Sequence, residues 1–264
     1  MLRGILHRLR LYLPFVRRDL AEQYSGSQLG LVWTFVQPAL MVFLYWLVFD
    51  RIMRVRIPGD QLQSDIPFLA FLLSAFLPWL AFNEGVTKAA GSILARREVV
   101  KHLNFPLQVF PLAGVASAAA AHFAVFWVFL LVFDLWRGLA PGLHWLGVLL
   151  VMGLQLLMTG GLGLVLASFT LYLRDLTQVI WFTLTLCLYT TPILYPLAMV
   201  PEQYHAWMAW NPFFYFTESY HDLVLFHQWP DWSSLAKMAL LSLTCLFIGR
   251  HTFRTLRDGF ADVV

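Results

Sequence analysis

The sequence predicts an all-α polytopic membrane protein with six transmembrane helices, on three observations. Hydrophobic residues make up 59% of the 264-residue chain and charged residues only 12%, against about 45–50% and about 25% in soluble domains. Mean hydropathy is +0.68. Charge-free runs recur at the length a helix needs to cross about 30 Å of hydrocarbon. These features exclude an ordinary water-soluble enzyme, and also a disordered chain, which needs low hydrophobicity and high net charge. A disulfide scaffold is excluded too. The only two cysteines, Cys187 and Cys245, each lie inside an apolar run and read as small packing residues.

Residues 1–28 form the first unit, an amphipathic interface helix and hinge; residues 29–264 form the six-span unit. Leu2, Ile5, Leu6, Leu9, Leu13, Val16 and Leu20 recur at helical spacing, while Arg3, His7, Arg10 and Arg17 occupy another face. Such a helix lies in the membrane interface with its arginines toward anionic headgroups. Pro14 is expected to break or restart it. No apolar core of a cleavable signal stands out in this stretch, so it is expected to stay on the protein.

Five spans follow from the charge-free runs 29–49, 66–83, 102–133, 138–173 and 176–201. The sixth run, 238–249, has 12 residues and is too short alone. Lys237 and Arg250 flank it and can snorkel to the headgroups, extending the span to roughly 233–253. The N-terminal segment, the second and fourth connections and the tail hold thirteen of the Lys and Arg residues; the opposite side holds five, namely Arg51, Arg54, Arg56, Arg137 and Lys237. The positive-inside rule then puts both termini in the cytoplasm. The three arginines of the first outward loop are an exception to it.

Three connections carry further information. Residues 19–33 turn through Ser25-Gly26-Ser27 and Gly30, small residues that permit a sharp turn or a close approach of backbones. Residues 92–105 are short and basic, with Ile93, Val99, Val100 and Leu103 as an apolar stripe; pattern alone favours a solvated positive-inside loop over a helix docked in a partner. Residues 201–232 are acidic and crowded with aromatics, and Asn211-Pro212 divides them into two short helical pieces. An aromatic belt at the outer interface and a re-entrant gate with a sugar-stacking surface both fit this stretch.

Catalytic constellations are missing. There is no phosphate-binding glycine loop, no zinc-protease helix motif and no paired-cysteine motif. The eight histidines are scattered. His122 is expected to face other helices or water, as a packed and hydrogen-bonded residue. Glu84 and Asp134 are expected near span ends, where hydration or snorkelling accommodates them. No series of mid-bilayer acids suggests a proton relay.

The order of motifs resembles a known family. Arg18-Asp19-Leu20, Tyr24, Ser27, Leu29-Gly30 and Trp33 lead into a span with Pro38. Leu77-Pro78-Trp79, Asn104-Phe105-Pro106, Leu173-Arg174-Asp175, Thr191-Pro192-Ile193-Leu194-Tyr195-Pro196 and Asn211-Pro212 follow in turn. This resembles the membrane subunits of ABC-2-type polysaccharide exporters, the permeases for O-antigen, capsule and teichoic acid chains. The resemblance runs from about Arg17 to the C-terminus.

The resemblance implies a homodimer enclosing a polymer channel in the bacterial inner membrane, above two copies of a separate ABC ATPase subunit that binds the ATP and Mg. No cofactor is expected on this chain, and no nucleic acid as partner; lipid-linked polysaccharide and membrane lipids are. Residues 92–104 then become a coupling helix seated in the ATPase, with Arg96, Arg97, Glu98 and Lys101 as its contacts, reversing the preference drawn from pattern. Residues 201–232 become an external gate region, with Trp207, Trp210 and Tyr215 as gate aromatics. Arg17, Arg18 and Arg174 are expected to attract the phosphate of a lipid carrier, since the arginine fork suits phosphate, or alternatively to anchor on anionic lipid. Trp33, Tyr189 and Tyr195 are expected to line the channel. The competing readings are an ABC-2 permease for a lipid or drug, a membrane enzyme acting on lipid-linked sugars, and a structural anchor. The enzyme would need a His-Asp or Asp-rich interfacial site, which the sequence pattern does not reveal.

Overall fold

The computed structural model describes residues 14–18, 32–55, 66–96, 106–173 and 175–260, and every regular element among them is helical. Residues 14–18 are helical. The helices that follow are α1 (Trp33–Tyr45), which runs on into a π-helical segment (Trp46–Ile52), and α2 (Phe68–Gly91). Next come α3 (Val109–Trp136), α4 (His144–Tyr172) and α5 (Leu176–Tyr189). The chain closes with two short helices, α6 (His205–Met208) and α7 (Phe214–Leu225), and the long α8 (Trp232–Leu256).

Four helices among the described residues are long and apolar enough to cross a membrane: Phe68–Gly91, Val109–Trp136, His144–Tyr172 and Trp232–Gly259. Of these, α2, α4 and α8 run in one direction and α3 in the other, so the bundle has an end carrying the α3–α4 turn and an opposite end carrying the 92–96 segment. The α1 helix runs antiparallel to α2, with Tyr45 edge-on to Phe76 at 5.2 Å and Phe49 stacked on Phe68 at 6.0 Å.

Two expected boundaries are corrected. The second span does not stop at residue 83. Its helix continues to Gly91 and carries Glu84 and Lys88 within it, because these charges satisfy each other at 2.6 Å across one turn and His122 Nε2 from α3 meets the same carboxylate at 2.6 Å. His122 is thereby buried and hydrogen-bonded, as expected. The fifth helix does not reach residue 201 but ends at Tyr189. Pro192 lacks an N–H and disfavours helical Thr191. The hydroxyls of Thr190 and Thr191 donate back to the carbonyls of Leu186 and Cys187, at 2.9 and 2.6 Å, closing the last turn.

The core is aromatic. Phe213 lies between Trp79 and Phe82, at ring distances of 5.1 and 5.0 Å, and Tyr220 meets Phe126 at 5.6 Å. In a bilayer the solvent is as apolar as these side chains, so close packing and internal hydrogen bonds hold the helices together. The tightest approach is between α4 and α8. Gly161 and Gly249 bring the two backbones into contact, and a methyl group on Gly249 would collide with the Gly161 carbonyl.

Candidate functional site

Two elements converge at the 92–96 end. Ser92 and Ile93 leave α2 in a turn, followed by a single 3-10 turn over Leu94–Arg96. The Arg96 guanidinium lies 5.3 Å above the Phe110 ring at the start of α3 and donates to the Ser92 carbonyl at 3.3 Å. From the N-terminal stretch, Phe15 packs edge-on against the same Phe110 ring at 5.5 Å. Phe110 therefore links the basic connection to the N-terminal helix. Around it Ile93, Leu107, Leu164, Leu171, Phe253 and Phe260 form a separate buried cluster, which fastens this end of α3, α4 and α8 together. Arg17 and Arg18 are exposed on the helical stretch that Phe15 anchors.

At the opposite end the segment after α5 folds back on the bundle. Asn211 organises it. Its side-chain amide donates to the Cys187 carbonyl at 2.9 Å and to the Thr190 and Thr191 hydroxyls at 2.9 and 2.7 Å, while its carbonyl oxygen accepts from the Phe213 N–H at 2.9 Å. One side chain thus ends α5 and starts α7. The Tyr195 hydroxyl donates to the Tyr189 carbonyl at 2.5 Å, and Tyr189 sits beside Tyr45 of α1. Tyr189 is well exposed, whereas Trp33 opens α1 at the other end of the bundle. Tyr189 and Tyr195 come together; Trp33 does not join them.

The aromatics of 201–232 divide into two sets. Phe213, Phe216 and Tyr220 are fully buried, whereas Trp207, Trp210, Trp229 and Trp232 are exposed. Trp210 and Tyr215 share a cavity of about 430 Å³ with Asn211, Pro212 and Lys237. The Lys237 ammonium lies 4.8 Å above the Tyr215 ring. Trp207 stands apart on α6. The segment turns Phe213, Phe216 and Tyr220 into the bundle and leaves tryptophans exposed around them.

A buried polar chain fixes α7 in place. The Tyr220 hydroxyl donates to Gln155 Oε1 at 2.8 Å, and Gln155 Nε2 donates to the Pro78 carbonyl at 2.8 Å. It joins α7, α4 and the middle of α2 in surroundings where an unpaired polar group is costly.

The family's sequence pattern for the ABC-2 type transporter matches residues 12–225. The chain belongs to this family. Among curated relatives of this ABC-2 type transporter, the O-antigen export system permease protein RfbA of Myxococcus xanthus is 31% identical over 96% of this chain and 95% of its own length. The polysialic acid transport protein KpsM of Escherichia coli is 23% identical over 92% of both chains. The capsule polysaccharide export inner-membrane protein CtrC of Neisseria meningitidis is 23% identical over 95% of this chain and 94% of its own.

For some residues of this ABC-2 type transporter the sequence expectation is not reached, and for one it is corrected. Arg97, Glu98, Lys101 and Arg174 lie outside the described residues. Asp134 is not accommodated by hydration near a span end. It is completely buried and accepts from His144 Nε2 at 2.9 Å, Trp145 Nε1 at 2.8 Å and His227 Nε2 at 3.2 Å. Neither this cluster nor the Gln155 chain was visible beforehand, because their members are spread over distant helices. The available signal was polarity alone, Asp134 and Gln155 each interrupting apolar sequence.

Asp222 on α7 carries a pH prediction. Partial burial, with Glu218 and Asp231 nearby, pushes its carboxyl up to about 6, against an opposing pull from His221. Above pH 6 the carboxyl is ionised in both folded and unfolded chains, and the folded chain bears the cost; below about pH 4 it is protonated in both and the cost vanishes. Asp222→Asn is expected to stabilise the detergent-solubilised protein at pH 7.5 by up to about 1 kcal/mol after allowance for solvent screening. The gain should fade between pH 6 and pH 4, as thermal unfolding at a series of pH values would record.

Proposed function

We propose that this chain is the channel-forming permease subunit of an ATP-driven exporter that carries lipid-linked polysaccharide from the cytoplasm across the bacterial inner membrane. The observation that carries the reading is end-to-end likeness to O-antigen and capsule permeases within the ABC-2 family. In this reading α1 with its π segment and α5 with the turns after it complete six spans, and both termini are cytoplasmic. Two copies of the chain enclose the path, and two ATPase subunits grip the 92–104 elbow.

The geometry suits that assignment. A closed path must open only when substrate and fuel are present, and a ligand shifts such an equilibrium only by binding the two states unequally. Nucleotide-driven closure of the ATPases supplies the inequality, and displacement of the elbow passes through Arg96 and Phe110 to α3 and, through Phe15, to the N-terminal helix. In this reading Arg17 and Arg18, exposed on that helix, meet the carrier phosphate. At the far end the Tyr189–Tyr195 pair and the Trp210–Tyr215 cavity offer flat rings on which sugars slide. Many weak contacts permit movement where one strong site would hold the chain.

Deleting the gene in its host is expected to remove the polymer from the cell surface and to leave lipid-linked chains on the cytoplasmic side. Both effects should be reversed by the chain supplied together with its ATPase. Unchanged surface polymer, with loss of a lipid or drug efflux activity instead, would overturn the polysaccharide assignment.

A further inference from the structure

We propose that Asp134, His144 and His227 form a binding site for a divalent transition-metal cation, zinc by the character of the ligands. The three come from separate elements: the last turn of α3, the first residue of α4 and the link between α7 and α8. Their ligand atoms all lie within 4.8 Å of one another. Both imidazoles direct Nε2 at the same carboxylate, one at each oxygen, at 2.9 and 3.2 Å. A tetrahedral zinc with bonds of about 2.0–2.1 Å places its ligand atoms about 3.3 Å apart, so small adjustments would admit the ion.

The surroundings also fit. Asp134 is a carboxylate with no exposure at all, met by the side-chain rings of His144, Trp145 and His227. A divalent cation would neutralise a charge that is otherwise expensive to bury. Trp145 Nε1 holds Asp134 Oδ2 at 2.8 Å, the kind of outer partner that orients a ligating carboxylate. His227 keeps a left-handed backbone, φ 54°, which is strained for a residue with a side chain, and this conformation brings its ring to Asp134. Arg137 secures the same link by donating to the Leu225 carbonyl at 2.7 Å. The His227 side chain is 21% exposed, which leaves the ion a way in. Two imidazoles and one carboxylate suit zinc over magnesium or calcium, which prefer all-oxygen shells. The ion would fasten the α7–α8 link to α3 and α4 at the gate end of the bundle.

The test uses the full-length protein in detergent, with any affinity tag removed and metals stripped by chelator. Equilibrium dialysis against zinc, read by elemental analysis, is expected to give one ion per chain and a raised unfolding temperature, with no such rise in magnesium or calcium. Cobalt in place of zinc should show the strong visible absorption of a tetrahedral centre. His227→Ala, at a loop position, and His144→Gln, which keeps a hydrogen-bond donor, should each weaken zinc binding at least 10-fold. His251→Gln, a surface control, should leave it unchanged. Failure of the folded parent protein to bind zinc stoichiometrically overturns the proposal, as does equal binding by His227→Ala and the parent.

Discussion

Gly249→Ala is expected to destabilise the helix bundle by at least about 3 kcal/mol, the upper part of the range for overpacked interiors. The added methyl group meets the backbone of Gly161 on α4, and a main-chain carbonyl cannot rotate aside as a side chain can. Relief requires α4 and α8 to separate along their contact, forfeiting the dispersion energy that holds helices together inside a bilayer. Gly153, on the exposed face of the same α4, is the internal control, because a methyl there meets nothing within 4 Å. Gly153→Ala should be neutral, or stabilising by about 0.5–1 kcal/mol through the better helix propensity of alanine. Thermal unfolding of the two variants in detergent, side by side with the parent, measures the difference.

Gln155→Leu is expected to cost about 1–3 kcal/mol, because it leaves one buried group unpaired and strips a second of a partner. The Tyr220 hydroxyl loses its acceptor and the Pro78 carbonyl loses its donor. Adding Tyr220→Phe to the same protein should recover part of the loss, since a phenylalanine ring brings no unpaired oxygen into the core. A double-mutant cycle would therefore show a coupling of about 1 kcal/mol or more between α4 and α7. Independent, additive losses would mean that the two side chains do not act as one unit.

The spans were readable because a bilayer demands long uncharged runs. The runs around Val109–Trp136 and His144–Tyr172 announce their helices, and the snorkelling argument for the sixth span is matched by a helix from Trp232 to Leu256. The same argument failed where charge stays inside a helix. Glu84 looked like a boundary because a lone carboxylate would be one; Lys88 lies one helical turn on, and the fold adds His122 from α3 as a second partner. Asn211-Pro212 was legible as a break between two short helices. That Asn211 also closes the end of α5, more than twenty residues earlier, was not, because a side chain's distant acceptors leave no trace in spacing. The Asp134 cluster was hidden for the same reason: its two histidines lie 10 and 93 residues further along the chain.

The central claim is that this chain supplies a passage and that a separate ATPase drives it through the basic elbow. Co-purified permease and ATPase, reconstituted in vesicles with lipid-linked polysaccharide and ATP, measure it most directly when Arg96, Arg97 and Glu98 are all changed to alanine. The account predicts that the complex still hydrolyses ATP while polymer transfer across the bilayer stops. Transfer at the parent's rate after that change would contradict it.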